Sequence, residues 1–189
     1  MKSAFRIRDL EIAGAKLIEP FCVEDERGYF AKYFESGFFH SCGIDFHVDE
    51  EFESKSQKGV LRGLHCQFHK PQDKLVHVTL GAVKDVLVDL RKESPTYKKW
   101  IMIDLTEENH YGLFVPKGCA HGFKVISDVA IMVYMCAGRY DPASDGGIRW
   151  DDPDIAINWE INGQNIIISE KDKNLLPFRE FEKKGFLYE

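Results

Sequence analysis

A mostly β fold, an antiparallel barrel or jelly roll with short peripheral helices, is the architecture expected of these 189 residues. Three observations lead to it. The chain is aromatic-rich, with fourteen Phe, seven Tyr and three Trp, and aromatic side chains favour strands. Short apolar runs of period two recur between turn residues, at a spacing of roughly 8–12 residues typical of sandwiches and barrels. Helical patterns are few. At this length one compact domain spanning residues 1–189 is expected, long enough to bury a core without disulfide or metal staples.

The elements follow in chain order. Glu35–Cys42 reads as a short helix. Leu75–Leu80 (LVHVTL) meets Val83–Leu90 (VKDVLVDL) across Gly81–Ala82, which reads as a tight hairpin with glycine supplying the unusual dihedral. Trp100–Leu105, Gly112–Val115, Phe123–Ile126 and Val129–Cys136 read as further strands. After Ser169 the run Ser-Glu-Lys-Asp resembles a helix-capping box. The last dozen residues, FREFEKKGFLYE, mix charge and aromatics and suit either a packed or a frayed tail. A small barrel encloses a pocket lined by alternate residues of several strands.

Composition excludes several classes of partner. The formal net charge is −6 and no Lys/Arg block stands out, so nucleic acid and anionic membranes are poor partners. An anionic ligand must be held by a few placed cations. The longest apolar run, Val129 to Gly138, is about half of a membrane span, and the charged first residues do not suit a signal peptide. Five scattered cysteines with no C-x-x-C pair predict reduced thiols. A soluble, cytoplasmic protein is expected.

The densest chemical cluster is Gly59–His69, with Lys74 close behind. On a regular strand Leu61, Gly63, His65 and Gln67 share one face, and Arg62 and Leu64 the other. Arg62 and His65 can meet one ligand only if the strand bulges near Gly63, a common role for a strand glycine. Equally, His65 suits a hydrogen-bonded core histidine and Arg62 a surface ion pair. A second cluster, Val115–Phe123, places His121 where a Pro/Gly turn feeds a strand. Tyr134 alternates with Met132 and Cys136 on its strand, where a tyrosine usually packs with its hydroxyl satisfied. Tyr140 follows six residues on. Asp172, three residues after Ser169, suits a carboxylate that caps the helix and complements its dipole. A metal set from His65, His69, His77 and His121 lacks the strand-borne H-x-H chelate, because Gln67 occupies its second position. A bound metal is therefore not expected.

Taken together, Arg27–Phe30 (RGYF), Lys58–His65 (KGVLRGLH), Lys74-Leu-Val, Val88–Trp100 (VDLRKESPTYKKW), Val115–Phe123 (VPKGCAHGF), Tyr134 with Tyr140, Gly147–Pro153 (GIRWDDP) and Ile168–Asp172 (ISEKD) stand in a recognisable order. The chain resembles the dTDP-4-dehydrorhamnose 3,5-epimerases, homodimeric, metal-free enzymes with a cupin jelly roll. The similarity runs from about Glu19 to Asp172. It implies that the substrate is a nucleotide-linked 4-keto-6-deoxy sugar inverted at C3, C5 or both, as in conversion of dTDP-4-dehydro-6-deoxyglucose to dTDP-4-dehydrorhamnose.

By position, the resemblance assigns His65 as base, Asp172 as its carboxylate partner, Tyr134 as acid on the opposite face of the sugar and Lys74 as the cation beside the keto oxygen. It assigns Arg27, Phe30, Arg62, Tyr140 and Lys171 to nucleotide-sugar contacts and His121 to the pocket lining. The Arg27/Phe30 region is expected to reach the partner subunit's site. The chain departs from the family pattern at three ligand-contacting positions. Lys32 stands where a glutamate is usual, and Glu50 and Phe52 replace a Q-x-N pair. These positions bear on which nucleotide is recognised. Rival readings are a relative that inverts one centre or isomerises the ketone, a metal-dependent cupin enzyme, and a non-catalytic sugar-nucleotide binder.

Overall fold

The computed structural model describes residues 4–184. Two antiparallel sheets carry the fold. The six-stranded sheet has the order β1 (Arg6–Asp9), β2 (Lys16–Glu19), β10 (Gly112–Val115), β7 (Asp73–Leu80), β12 (Val129–Ala137), β5 (Glu50–Gln57). The five-stranded sheet has the order β13 (Asp145–Gly147), β6 (Leu61–Gln67), β11 (Cys119–Val125), β8 (Ala82–Asp89), β9 (Trp100–Thr106). A separate two-stranded ribbon pairs β3 (Phe21–Asp25) with β4 (Gly28–Lys32). The helices are short: α1 (Ser36–Ser41), α2 (Glu170–Lys173) and α3 (Phe178–Lys183).

Each sheet also carries a packed cluster on its outer face. Between the sheets, Val76, Val78 and Met132 meet Leu87, Leu105 and Phe123. Outside the six-stranded sheet, Leu75 and Phe114 pack under Phe39, Ile44 and Phe46 from α1 and the segment after it. Outside the five-stranded sheet, Val86, Val88 and Leu64 pack under Trp159, Phe178 and Phe181. The tail up to residue 184 is thus packed, with Phe178 and Phe181 fully buried in α3. Residues 185–189 lie outside the described ones. Cover on both faces buries most of β8 and every residue of β11, polar ones included.

The expected hairpin at Gly81 does not form. β7 pairs with β10 and β12, whereas β8 pairs with β11 and β9, so the chain crosses from one sheet to the other at Gly81. The corner is held from elsewhere: Ser127 Oγ accepts from the Ala82 amide at 2.8 Å, and the Glu107 amide donates to the Gly81 carbonyl at 2.9 Å. Gly81 has φ +75°, and a Cβ there would stand 2.0 Å from the Val129 carbonyl oxygen. Glycine is required, but for a sheet-to-sheet corner. The remaining strands read from periodicity and α1 lie where they were expected, with β11 starting four residues earlier than Phe123, while β1 to β5 and β13 carry no such pattern.

Among the described residues no disulfide joins the five cysteines, three of which are buried. Among the described residues no helix is long and apolar enough to cross a membrane.

Candidate active site

The bulge expected near Gly63 is present. Along β11 and β6, His121 faces His65 and Phe123 faces Arg62, so two steps on β11 match three on β6. A Cβ on Gly63 would stand 2.6 Å from the Gly122 Cα, and one on Gly122 2.5 Å from the Arg62 carbonyl oxygen. Paired glycines let the two backbones approach where the extra residue is accommodated. The result is that Arg62, His65 and Gln67 all line one cavity, while Leu64 is buried in the outer core cluster.

That cavity measures about 400 Å³, within the usual range for small-ligand sites. His65 enters from β6 and His121 from β11, both on the five-stranded sheet. Tyr134 enters from β12, Lys74 from β7, and Glu50, Phe52 and Ser54 from β5, all on the six-stranded sheet. The base and the acid assigned by resemblance therefore belong to opposite walls. Tyr140, Asp145 and Lys171 border the mouth.

His65 Nε2 lies 2.7 Å from Asp172 Oδ1. The other carboxylate oxygen accepts from the Gly63 amide at 3.2 Å, and the Asp172 amide donates to Ser169 Oγ at 3.1 Å. The capping serine is real, but it fixes a carboxylate that is 3 % exposed and turned towards His65. Burial pushes the Asp172 carboxyl up, yet the His65 ring, the Gly63 amide and the Ser169 hydroxyl outweigh it and hold it below the usual range. A carboxylate only accepts, so Nε2 carries the hydrogen and Nδ1 keeps a lone pair able to take a proton.

His121 makes a second pair of this kind. Its Nε2 lies 3.0 and 2.9 Å from the two Asp85 oxygens. Burial raises the Asp85 carboxyl's pKa against the pull of His121. The sequence reading passed over Asp85. A lone carboxylate between Val83 and Leu87 on an apolar strand was the signal that could have found it.

Tyr134 is stacked on Phe52, with ring centroids 4.7 Å apart and planes 15° apart. Burial raises its pKa, against smaller pulls from Ser54 and Arg62, so the phenol stays protonated at neutral pH. Arg62 Nε donates to Ser56 Oγ at 3.0 Å. Lys74 makes no ion pair among the described residues and borders the cavity. Lys171 pairs with Asp145, which also accepts from Tyr140 Oη at 2.8 Å. Ser54, Ser56 and Asp145 were not singled out from the sequence, since a serine or aspartate in a polar stretch carries no periodic signal.

Arg27, Phe30 and Lys32 lie apart from this cavity. All three belong to the β3–β4 ribbon, where Arg27 bridges to Asp25 and Lys32 to Glu35 at 2.8 Å. Glu50 makes no ion pair among the described residues. The Glu50 carboxylate instead accepts from the Tyr140 amide at 2.9 Å, tying the mouth loop to β5. Gln67 ties the same loop, donating to the carbonyls of Lys70 and Arg139 and accepting from the Asp141 amide. His77 lies outside the cavity, stacked on Tyr33 at 3.7 Å. Among the described residues, no group of three or more His, Cys, Asp or Glu is arranged to hold a metal ion.

The family profile of dTDP-4-dehydrorhamnose 3,5-epimerase matches residues 9–180. The chain belongs to this epimerase family. It is 48% identical over 177 residues to a dTDP-4-dehydrorhamnose 3,5-epimerase of Methanothermobacter thermautotrophicus, covering 93% of this chain and 96% of that one. It is 42% identical over 172 residues to the Escherichia coli enzyme of that name, covering 90% and 92%. The crystal structure of a dTDP-6-deoxy-D-glucose-3,5-epimerase from Legionella pneumophila, in complex with dTDP-4-keto-L-rhamnose, is similar with a TM-score of 0.93 and 38% identity over 98% of each chain. The epimerase fold is a cupin-like jelly roll, as the two-sheet topology here displays.

Proposed function

We propose that this epimerase is a cytoplasmic isomerase that inverts C3 and C5 of a nucleotide-linked 4-keto-6-deoxy sugar, turning dTDP-4-dehydro-6-deoxyglucose into dTDP-4-dehydrorhamnose. One observation carries this reading: the His65–Asp172 pair and the protonated Tyr134 line opposite walls of one cavity. A pure binding module has no use for an acid and a base on opposite sheets.

The ketone at C4 acidifies the C–H bonds at C3 and C5. His65 Nδ1 takes the proton from one carbon, and the electron pair moves into the C4 carbonyl to form an enolate. An imidazole suits this task because its ordinary pKa is about 6.5, near working pH. Asp172 holds the ring's orientation and tautomer and stabilises the imidazolium, as carboxylates do beside other catalytic histidines. Lys74 and Arg62 supply positive charge for the enolate oxygen, a contribution of about 10²–10³ in rate. Tyr134 Oη then protonates the same carbon from the opposite face, the carbonyl re-forms, and solvent returns the phenol and imidazole to their starting states. The sugar gains and loses one proton at each inverted centre, so no cofactor is consumed.

The proposed working unit is a homodimer. Charge supports this. Arg62, Lys74 and Lys171 are the cations bordering the cavity, and Lys171 is already paired, while Glu50 and Asp145 border it as well. A diphosphate bound there requires further cations. The ribbon carries Arg27 and Lys32, whose partners Asp25 and Glu35 form exposed pairs that a diphosphate can replace, beside Tyr29 and Phe30, which are 51% and 62% exposed, and it stands away from its own chain's cavity. Insertion of one protomer's ribbon into the partner's site supplies that charge and covers those rings.

The deciding experiment is His65→Asn in D2O. Deuterium incorporation at both C3 and C5 is expected to vanish while dTDP binding persists. Near wild-type exchange at either carbon removes His65 as the base.

A further inference from the structure

We infer that Phe52 is a positioning residue for Tyr134. The inference rests on the reading of Tyr134 as the proton donor and asks what aims its hydroxyl.

The register makes the contact direct. Phe52 and Tyr134 are opposite one another across β5 and β12, and both side chains border the cavity. Their rings lie 4.7 Å apart with planes 15° apart, a parallel stack within the range where aromatic pairs attract. His121 meets the same tyrosine edge-on, with centroids 6.2 Å apart and planes 76° apart. His121 is itself held by both oxygens of the fully buried Asp85. The phenol is therefore held by a ring face from one strand and a ring edge from another.

Core filling does not explain a phenylalanine at this position. β5 is the edge strand of its sheet, and its residues on the Phe52 face are otherwise Glu50, Ser54 and Ser56, all polar. Phe52 is 49% exposed, so its hydrophobic contribution is only partly realised. What the ring does supply is a flat wall along one side of Tyr134. A tyrosine aims its hydroxyl through two torsions, and a stacked neighbour restricts both. It also keeps water from that side of the phenol, in keeping with the burial that holds the hydroxyl protonated. A proton donor must reach one face of a flat enolate carbon, and small misplacement there is costly.

The test compares Phe52→Leu, Phe52→Tyr, Tyr134→Phe and the double variant with wild type, using the 4-keto-6-deoxy sugar nucleotide in D2O. Deuterium entering recovered substrate reports proton removal by His65, and inverted product reports delivery from the other face. Phe52→Leu is expected to lower the ratio of inversion to exchange by about tenfold, with KM changed by less than about twofold. Phe52→Tyr, which keeps the stacked ring, should restore the wild-type ratio. In the Tyr134→Phe background, Phe52→Leu should change the ratio no further. The inference is overturned if Phe52→Leu leaves the ratio intact, or if KM rises several-fold while exchange and inversion fall together, which marks a ligand contact. If Tyr134→Phe itself leaves the ratio unchanged, the assignment of the acid fails and this inference with it. If Tyr134→Phe shifts the ratio and Phe52→Leu does not, only the positioning role is lost.

Discussion

Replacing Asp172 by asparagine changes one atom's hydrogen-bonding character and should disable the base without moving it. In the native site one carboxylate oxygen lies 2.7 Å from His65 Nε2 and the other accepts from the Gly63 amide at 3.2 Å. The Gly63 amide can only donate, so the asparagine carbonyl must turn to it. The NH2 group then faces Nε2, which must accept, and the ring hydrogen moves to Nδ1. The nitrogen that should receive the substrate proton is then already occupied. Two losses combine. The charge-assisted bond to the imidazolium contributes about 1.5–3 kcal/mol, or roughly 10–100-fold in rate, and the wrong tautomer adds a loss of similar size. The sum is a fall in kcat of about 10²–10⁴, with KM little changed. The carboxylate of the serine-protease triad shows a loss near the upper end for the same reason. The assay is NMR detection of deuterium at C3 and C5 under saturating substrate, with thermal unfolding as a check on the fold. An Asp172→Asn enzyme within tenfold of wild type, or one whose defect lies wholly in KM, would refute the tautomer argument.

Three further outcomes are expected. His77 is 5% exposed, its Nδ1 lacks a partner among the described residues, and burial lowers its pKa to about 4. The unfolded chain therefore binds a proton near pH 6.5 that the native state refuses, and stability falls as pH drops through that window. Between pH 7 and pH 5 the cost is about 2 kcal/mol. Urea titrations at both pH values should show that loss in wild type and its absence in His77→Phe; equal losses would clear His77. For recognition, side-by-side titration with dTDP, UDP, CDP and GDP should show weaker dTDP binding than in relatives with the usual residues, or another preference. Affinity for dTDP that is tight and unmoved when Lys32 and Glu50 are changed to Glu and Gln would contradict it. For the dimer, mixing inactive Arg27→Ala and inactive His65→Asn protomers should restore activity in hybrids that hold one intact site; mixtures that stay inactive argue against a shared site.

Much of the local structure was legible in the residues themselves because it depends on near neighbours. Ser169 caps α2 and fixes Asp172 three residues on, and Gly63 admits a bulge because a strand glycine tolerates close backbone approach. The apolar runs marked β7, β8, β9, β10 and β12 because strand periodicity is written in consecutive side chains. Sheet membership was not written there. Leu75–Leu80 and Val83–Leu90 look like two arms of a hairpin, yet each is buried on both faces by partners distant in sequence, and those partners divide them between sheets. β5 was invisible because its inward side chains line a polar cavity and not a core, so EEFESKSQ shows no apolar alternation. The same holds for the site. The order of the motifs, through the family resemblance, nominated His65, Asp172, Tyr134 and Lys74, but tertiary structure decided that Asp85 holds His121, that Phe52 lies flat on Tyr134, and that Lys32 on the ribbon pairs with Glu35. Each of these is a contact between side chains brought together only by register or by the crossing of the sheets, and a single sequence carries no trace of a contact until burial selects which faces meet.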